Sequence, residues 1–219
     1  MRVLVACEFS GAVRDAFIER GHDAVSCDLM PSEAGGPHHE GSVLEILDDG
    51  WDLMVAHPPC TYLSKAGARW LYPVAGQIDH ARHSMGLEAR EFFLAMLGAP
   101  IPKIAVENPT PLRAFRLPRP TQVIEPYQYG HPYSKRTLLW LRGLPPLVPT
   151  NTRNDYTPFL PSNTGGAARG HRSSRGAVSG GKDASRTFCG VAQAMAAQWG
   201  DGDMTGCEPG YQLIMEGLW

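Results

Sequence analysis

Apolar residues along the first part of the chain come in short runs separated by polar turns. Val3-Leu4-Val5-Ala6-Cys7 is an unbroken run of strand length, the kind buried on both faces of a parallel sheet. Ser10-Gly11 interrupts it, and Ala12, Val13, Ala16, Phe17 and Ile18 then recur at helical spacing until Gly21. Asp23–Asp28 predicts a second strand ending in an acid, Gly35-Gly36-Pro37 a loop, and Val43–Leu47 a short helix. Asp52–Ala56 predicts a third strand. It stops at His57-Pro58-Pro59-Cys60, since two prolines supply no ladder hydrogens. After a loop of about twenty residues, too long for a mere connection, a helix is expected from roughly Ile78 to Leu97. Its apolar face would be Leu87, Phe92, Phe93, Met96 and Leu97. Lys103–Val106 predicts a fourth strand running into Glu107-Asn108-Pro109. Gln122–Ile124 and Thr137–Leu141 are further strand candidates, and Phe188–Trp199 is a last helix. Residues 143–185, rich in Gly, Pro, Ser, Asn and Arg, show no period and read as irregular.

Strands alternating with helices predict an α/β fold with a mostly parallel sheet covered on both faces. Ligands of such sheets bind beyond the carboxyl ends of the strands. Cys7–Gly11, Asp28, His57–Cys60 and Glu107-Asn108 all fall at strand ends and should meet on one edge. A chain of 219 residues with 43% apolar content suits one domain of ordinary size. Five cysteines without a CxxC pair signal neither a zinc knuckle nor a disulfide framework, so a reducing, cytoplasmic setting is expected. No apolar run is long enough for a membrane span, and no metal set stands out around His38-His39 or His80 and His83.

The net charge of −2 hides an uneven distribution. Residues 1–100 hold 7 Lys and Arg against 14 Asp and Glu, residues 101–190 hold 13 against 4, and residues 191–219 hold none against 4. A basic middle between acidic ends points to a polyanionic partner that the total conceals.

Three features carry candidate chemistry. Cys60 sits on a proline-stiffened turn, where local positive charge would activate its thiolate; alternatively it is a small buried hydrophobe. Glu107 ends an apolar strand, so a desolvated carboxyl with a raised pKa is expected, or else a cap or ion pair. Phe9-Ser10-Gly11 has the look of a nucleotide-binding turn, with Asp28 placed as a ribose-binding acid would be. Tyr62, Trp70 and Tyr72 either stack on a base or anchor their loop.

Taken in their fixed order, the turn, the acid, Pro-Pro-Cys, Glu-Asn and Gly-His-Pro-Tyr-Ser-Lys-Arg-Thr resemble the C5-cytosine DNA methyltransferase family, over roughly residues 3–142 and 186–199. The resemblance implies a Rossmann-like class I methyltransferase fold. It implies S-adenosylmethionine as cofactor, held by Phe9, Ser10, Gly11, Asp28, Ser42, Pro59 and Gly190. It makes Cys60 the nucleophile on cytosine C6, with Glu107 and Asn108 at the base; Arg136 either lies near the base carbonyl or the thiolate or serves a structural ion pair. Several positions depart from the family pattern. Ala12 and Val13 replace glycines, Ser42 an Asp, Thr61 a Gln and Val191 an Asn, and His57 precedes the prolines. Tyr133, Lys135 and Thr137 stand where the family has Gln, Arg and Arg.

The family's sizeable target-recognition region shrinks here to residues 143–185, which hold Arg153, Arg169, Arg172, Arg175 and Lys182. A catalytic domain of residues 1–142 plus 186–200 is therefore expected, with this basic segment inserted and 201–219 as a tail. Lys135, Arg169, Arg172 and Arg175 are expected to meet DNA phosphates, with short or lax sequence specificity. A small phage or prophage enzyme would fit the resemblance. The readings left open are a free cytosine nucleotide, single-stranded nucleic acid or RNA as substrate; amino-group methylation; and nucleic-acid binding without catalysis.

Overall fold

The computed structural model describes residues 1–158 and 186–202. Its centre is a seven-stranded sheet in the order β3-β2-β1-β4-β5-β8-β6. The strands are β1 (Arg2–Ala6), β2 (Asp23–Asp28), β3 (His38–Glu40), β4 (Leu53–Ala56), β5 (Lys103–Pro109), β6 (Gln122–Ile124) and β8 (Thr137–Arg142). β3 through β5 run parallel, whereas β8 is antiparallel to both β5 and β6. A small parallel pair, β7 (Tyr133–Ser134) with β9 (Thr157–Pro158), stands apart. The fold is a Rossmann-like α/β fold; the alternation of elements predicts its mostly parallel sheet, and the family resemblance its Rossmann-like form.

The apolar strand runs feed both faces of the sheet because successive side chains point to opposite sides. Val3, Val5, Leu53 and Val55 join Phe17 of α1 (Ala12–Glu19) and Val191, Met195 and Trp199 of the last helical stretch in one core. Leu4, Met54, Ile104 and Val106 join Phe93 and Met96 of α3 (His80–Gly98) in the other. The last helix, α4 (Cys189–Met195), continues into a wider π-type stretch over Ala196–Asp201. A one-turn helix, α2 (Ala68–Leu71), interrupts the long loop after β4.

Several expectations change. Leu87 is 43% exposed, so it is not part of the buried face of α3. That face instead uses Gly86, where a Cβ would stand 2.1 Å from the Phe115 ring, so the glycine lets Phe115 pack against the helix. The strand at His38–Glu40 was hidden by its two histidines, because an edge strand needs no apolar run. Residues 143–156 remain irregular, but their first part is docked. Leu147 and Val148 are buried, and the Gln198 side chain exchanges two hydrogen bonds with Val148.

Candidate active site

The chain crosses from β3 over β2 and β1 to reach β4, which makes the β1–β4 boundary the point where the strand order reverses. In open parallel sheets ligands bind there. A cavity of about 230 Å³ lies at this boundary, lined by Cys7, Glu8, Phe9, Ser10, Asp28, Met30, His57, Pro59 and Thr187. Phe9, Ser10, Asp28 and Pro59 thus meet as the sequence predicts. Gly11, Ser42 and Gly190 do not line it. Gly11 adopts φ +77 as the residue that opens α1. Ser42 caps a 3-10 turn by accepting from Leu44 N, two residues beyond β3. Gly190 packs so closely that a Cβ would lie 2.0 Å from the Tyr129 carbonyl oxygen, and its N–H donates to His131 Nε2 at 2.9 Å.

Two residues of this corner escaped the sequence reading. Glu8 is buried, and its carboxylate accepts from Val13 N at 2.8 Å and Arg14 N at 3.2 Å, occupying the N-terminal hydrogens of α1. Arg14 is fully buried, with Ser26 Oγ at 2.9 Å, Ser32 Oγ at 3.1 Å and Asp15 as its carboxylate. Neither belongs to a spacing pattern; both look like surface charges until the loops fold over them. The Cys7 thiol is pushed up to about 12 by burial, reinforced by the Asp28 and Cys27 charges, and Cys27 rises to about 11. Neither thiol is a nucleophile at neutral pH.

The second half of the site follows from register. Ala56 of β4 pairs with Val106 of β5, so His57 and Glu107 are next-door neighbours one step further on. His57 Nδ1 lies 3.3 Å from Glu107 Oε2. Antiparallel β8 starts at the same edge, with Thr137 opposite Pro109, which brings Lys135 over the pair. His57, Glu107, Lys135 and Thr137 line a second cavity of about 30 Å³, closed by Arg186, Thr187 and Phe188. His57 and Thr187 line both cavities, so the two adjoin.

The electrostatics correct two expectations. Burial pushes the Glu107 carboxyl up, but the hydrogen bond from His57 and the His57 and Lys135 charges outweigh it and hold it below its ordinary value. Glu107 is therefore a carboxylate, not the proton-holding acid that its strand-end position suggested. The Cys60 thiol is raised by burial and by the Glu107 charge, and Lys135 pulls it back down. Lys135 is thus the cation of the site. Arg136 is exposed and its charge acts on Glu125. The reason is the two-residue alternation of extended chain. If Lys135 and Thr137 turn inward, Arg136 turns away.

Asn108 also faces away from Glu107. It is fully buried, its Nδ2 donates to the Pro109 carbonyl, and its Oδ1 has no partner among the described residues. In the loop after Cys60, Arg82 lies over the Tyr62 ring at 4.8 Å and the Trp70 ring at 5.5 Å, and donates to Thr61 O at 2.9 Å. Trp70 is anchored and still half exposed. Arg169, Arg172 and Arg175 lie outside the described residues. No helix among the described residues is long and apolar enough to cross a membrane.

No protein-family profile and no curated protein matches the chain. Among solved structures it is similar to a mutant of DNMT2 from Spodoptera frugiperda, at 16% identity and a TM-score of 0.37, over 75% of this chain and 56% of that one. The chain therefore spans little more than half the length of that protein.

Proposed function

We propose that this chain transfers a methyl group from S-adenosylmethionine to C5 of cytosine in DNA through a covalent adduct on Cys60. One observation carries the reading. The Cys60 loop and Glu107 extend from the adjoining strands β4 and β5, beside a cavity at the sheet's switch point. In this reading the residue before the nucleophile, Pro59, lines the cofactor cavity, and Glu107 lines the cavity next to it.

The residues of the larger cavity fit this cofactor. A nucleotide phosphate at this turn would need free N–H groups at the start of α1, and Glu8 already occupies two of them. S-adenosylmethionine has no phosphate and carries positive charge, which the carboxylates of Glu8 and Asp28 match. Phe9 and Pro59 supply apolar walls. When bound, the cofactor supplies an electrophilic methyl group. Cys60 attacks C6, which breaks the aromaticity of the ring and makes C5 nucleophilic. Lys135 lowers the cost of forming the thiolate. In duplex DNA the base must first leave the stack, at a few kcal/mol. The excess of basic residues over 101–190 favours a nucleic acid over a free nucleotide.

Incubation with labelled S-adenosylmethionine and separate DNA, RNA and nucleotide pools, followed by nucleoside mass spectrometry, tests the reading. The expected result is 5-methylcytosine from DNA, lost in Cys60→Ser. N4-methylcytosine, or product that survives Cys60→Ser, would overturn it.

A further inference from the structure

We propose that His57 is the proton-transferring residue of this site and that Glu107 is the positioning residue that orients it, an inference that rests on the methyl-transfer reading above. Glu107 Oε2 takes up His57 Nδ1 at 3.3 Å, and an ionised carboxylate only accepts, so Nδ1 carries the hydrogen. Nε2 is then the ring nitrogen left to act. It is buried without a partner among the described residues, on a side chain only 9% exposed, and His57 lines both cavities. A buried polar atom in that state calls for a ligand. A carboxylate behind one imidazole nitrogen, on a histidine that lines a pocket, is the arrangement that fixes the ring's tautomer for proton transfer.

The step balances without a co-reactant. As the Cys60 thiolate, its proton already given to solvent, bonds to C6, the C5=C6 pair shifts to C4=C5 and the C4=N3 pair moves onto N3. Cationic His57 gives its Nε2 proton to N3 and becomes neutral. Once C5 carries the methyl group, its hydrogen leaves to solvent water as a proton, the C5–H pair re-forms C5=C6, the C6–S pair departs with the Cys60 thiolate, and N3 returns its proton to Nε2. Glu107 orients the ring and transfers no proton itself.

The ionisable groups around His57 come from every neighbouring element. Glu107 of β5, Lys135 ahead of β8 and Arg186 ahead of α4 share the smaller cavity with it; Cys7 and Glu8 after β1 and Asp28 of β2 share the larger one. Cys60 is on its own loop. Of these, Glu107 is the one hydrogen-bonded to the ring, at 3.3 Å.

The test uses the full chain and two readouts. The first is exchange of the cytosine C5 hydrogen with solvent in DNA, which needs Cys60 addition but no methyl donor. His57→Gln keeps an N–H for Glu107 but cannot titrate, and it should lose about 100-fold or more. Glu107→Gln should lose less. In Glu107→Gln the ring proton of neutral His57 should no longer be held to Nδ1, because the carboxylate that fixed the tautomer is gone. A Glu107→Gln variant as inactive as Cys60→Ser, beside a nearly unimpaired His57→Gln, would give the acid role back to Glu107 and overturn the proposal. The second readout is nitrogen-15 NMR of the histidine rings, with His57→Gln assigning the resonance. The proton of neutral His57 should sit on Nδ1; a bare Nδ1 overturns the proposal whatever the activity. Wild-type chain that yields neither exchange nor 5-methylcytosine sinks the methyl-transfer reading and this role with it. Methylation with the proton on Nε2 sinks this proposal alone.

Discussion

Lys135 and Arg136 show how one position along an extended chain decides chemistry. Both are cations beside the same strand, but only Lys135 lines the cavity that holds Glu107. Its charge opposes the burial that raises the Cys60 thiol. Replacing Lys135 with Met removes a lowering influence, so less thiolate is present at any given pH. The rate of Cys60 alkylation by iodoacetamide, followed by peptide mass spectrometry at pH 8, should drop by about 3–10-fold. Arg136→Ala should leave it unchanged. An equal drop in both variants would mean a general field and not a positioned lysine. This distinction was legible in part: the family pattern places its first arginine at position 135, but the nearest true arginine is one residue further on. Chemical identity pulled toward Arg136, whereas backbone alternation selects Lys135. His57 was equally open to inference, since aligning the ends of β4 and β5 sets it beside Glu107. What the sequence withheld was direction. A strand-end carboxyl reads as a desolvated acid until the imidazole and the ammonium that neutralise it are placed.

At the scale of elements, α1 is held by a residue outside it. Gly11 cannot offer a side-chain cap, and the buried Glu8 carboxylate serves instead, reaching Val13 N and Arg14 N across the turn. Glu8→Ala would leave two buried N–H groups unpaired, a loss of about 1–3 kcal/mol in urea unfolding. Glu8→Gln should recover part of it, because the amide oxygen can still accept one bond. No loss in Glu8→Ala would mean that water replaces the cap. Gly86→Ala tests the α3 face in the same assay. The new methyl would meet the Phe115 ring at 2.1 Å, so overpacking should cost about 1–3 kcal/mol. The strands and long helices were readable because apolar periodicity is dictated by the core they share. The edge strand β3, the Glu8 cap and the packing of Gly86 were not, because each depends on a partner distant in sequence or on an unobtrusive residue.

For the whole molecule the charge arrangement and the strand topology agree. Parallel β1, β2 and β4 end at the switch-point cavity, where Glu8 and Asp28, two acids of the first hundred residues, favour a cationic ligand over a phosphate. Most of the basic residues belong to the stretch between Glu107 and α4, whose flank at Arg186 pairs with Glu33. A polyanion should therefore be met by that stretch while the cofactor is held elsewhere. Each phosphate neutralised adds about 0.9 to the slope of log affinity against log salt. Removing Arg169, Arg172 and Arg175 together by alanine substitution should lower that slope for duplex DNA by about 2–3, and weaken binding in low salt regardless of sequence. Calorimetric titration with S-adenosylmethionine should give the same affinity in the triple variant and the wild type. An unchanged salt slope would separate the three arginines from the phosphates. A parallel fall in cofactor affinity would show that the acidic and basic halves do not act independently, and that the segment bears on the cavity as well as on the nucleic acid.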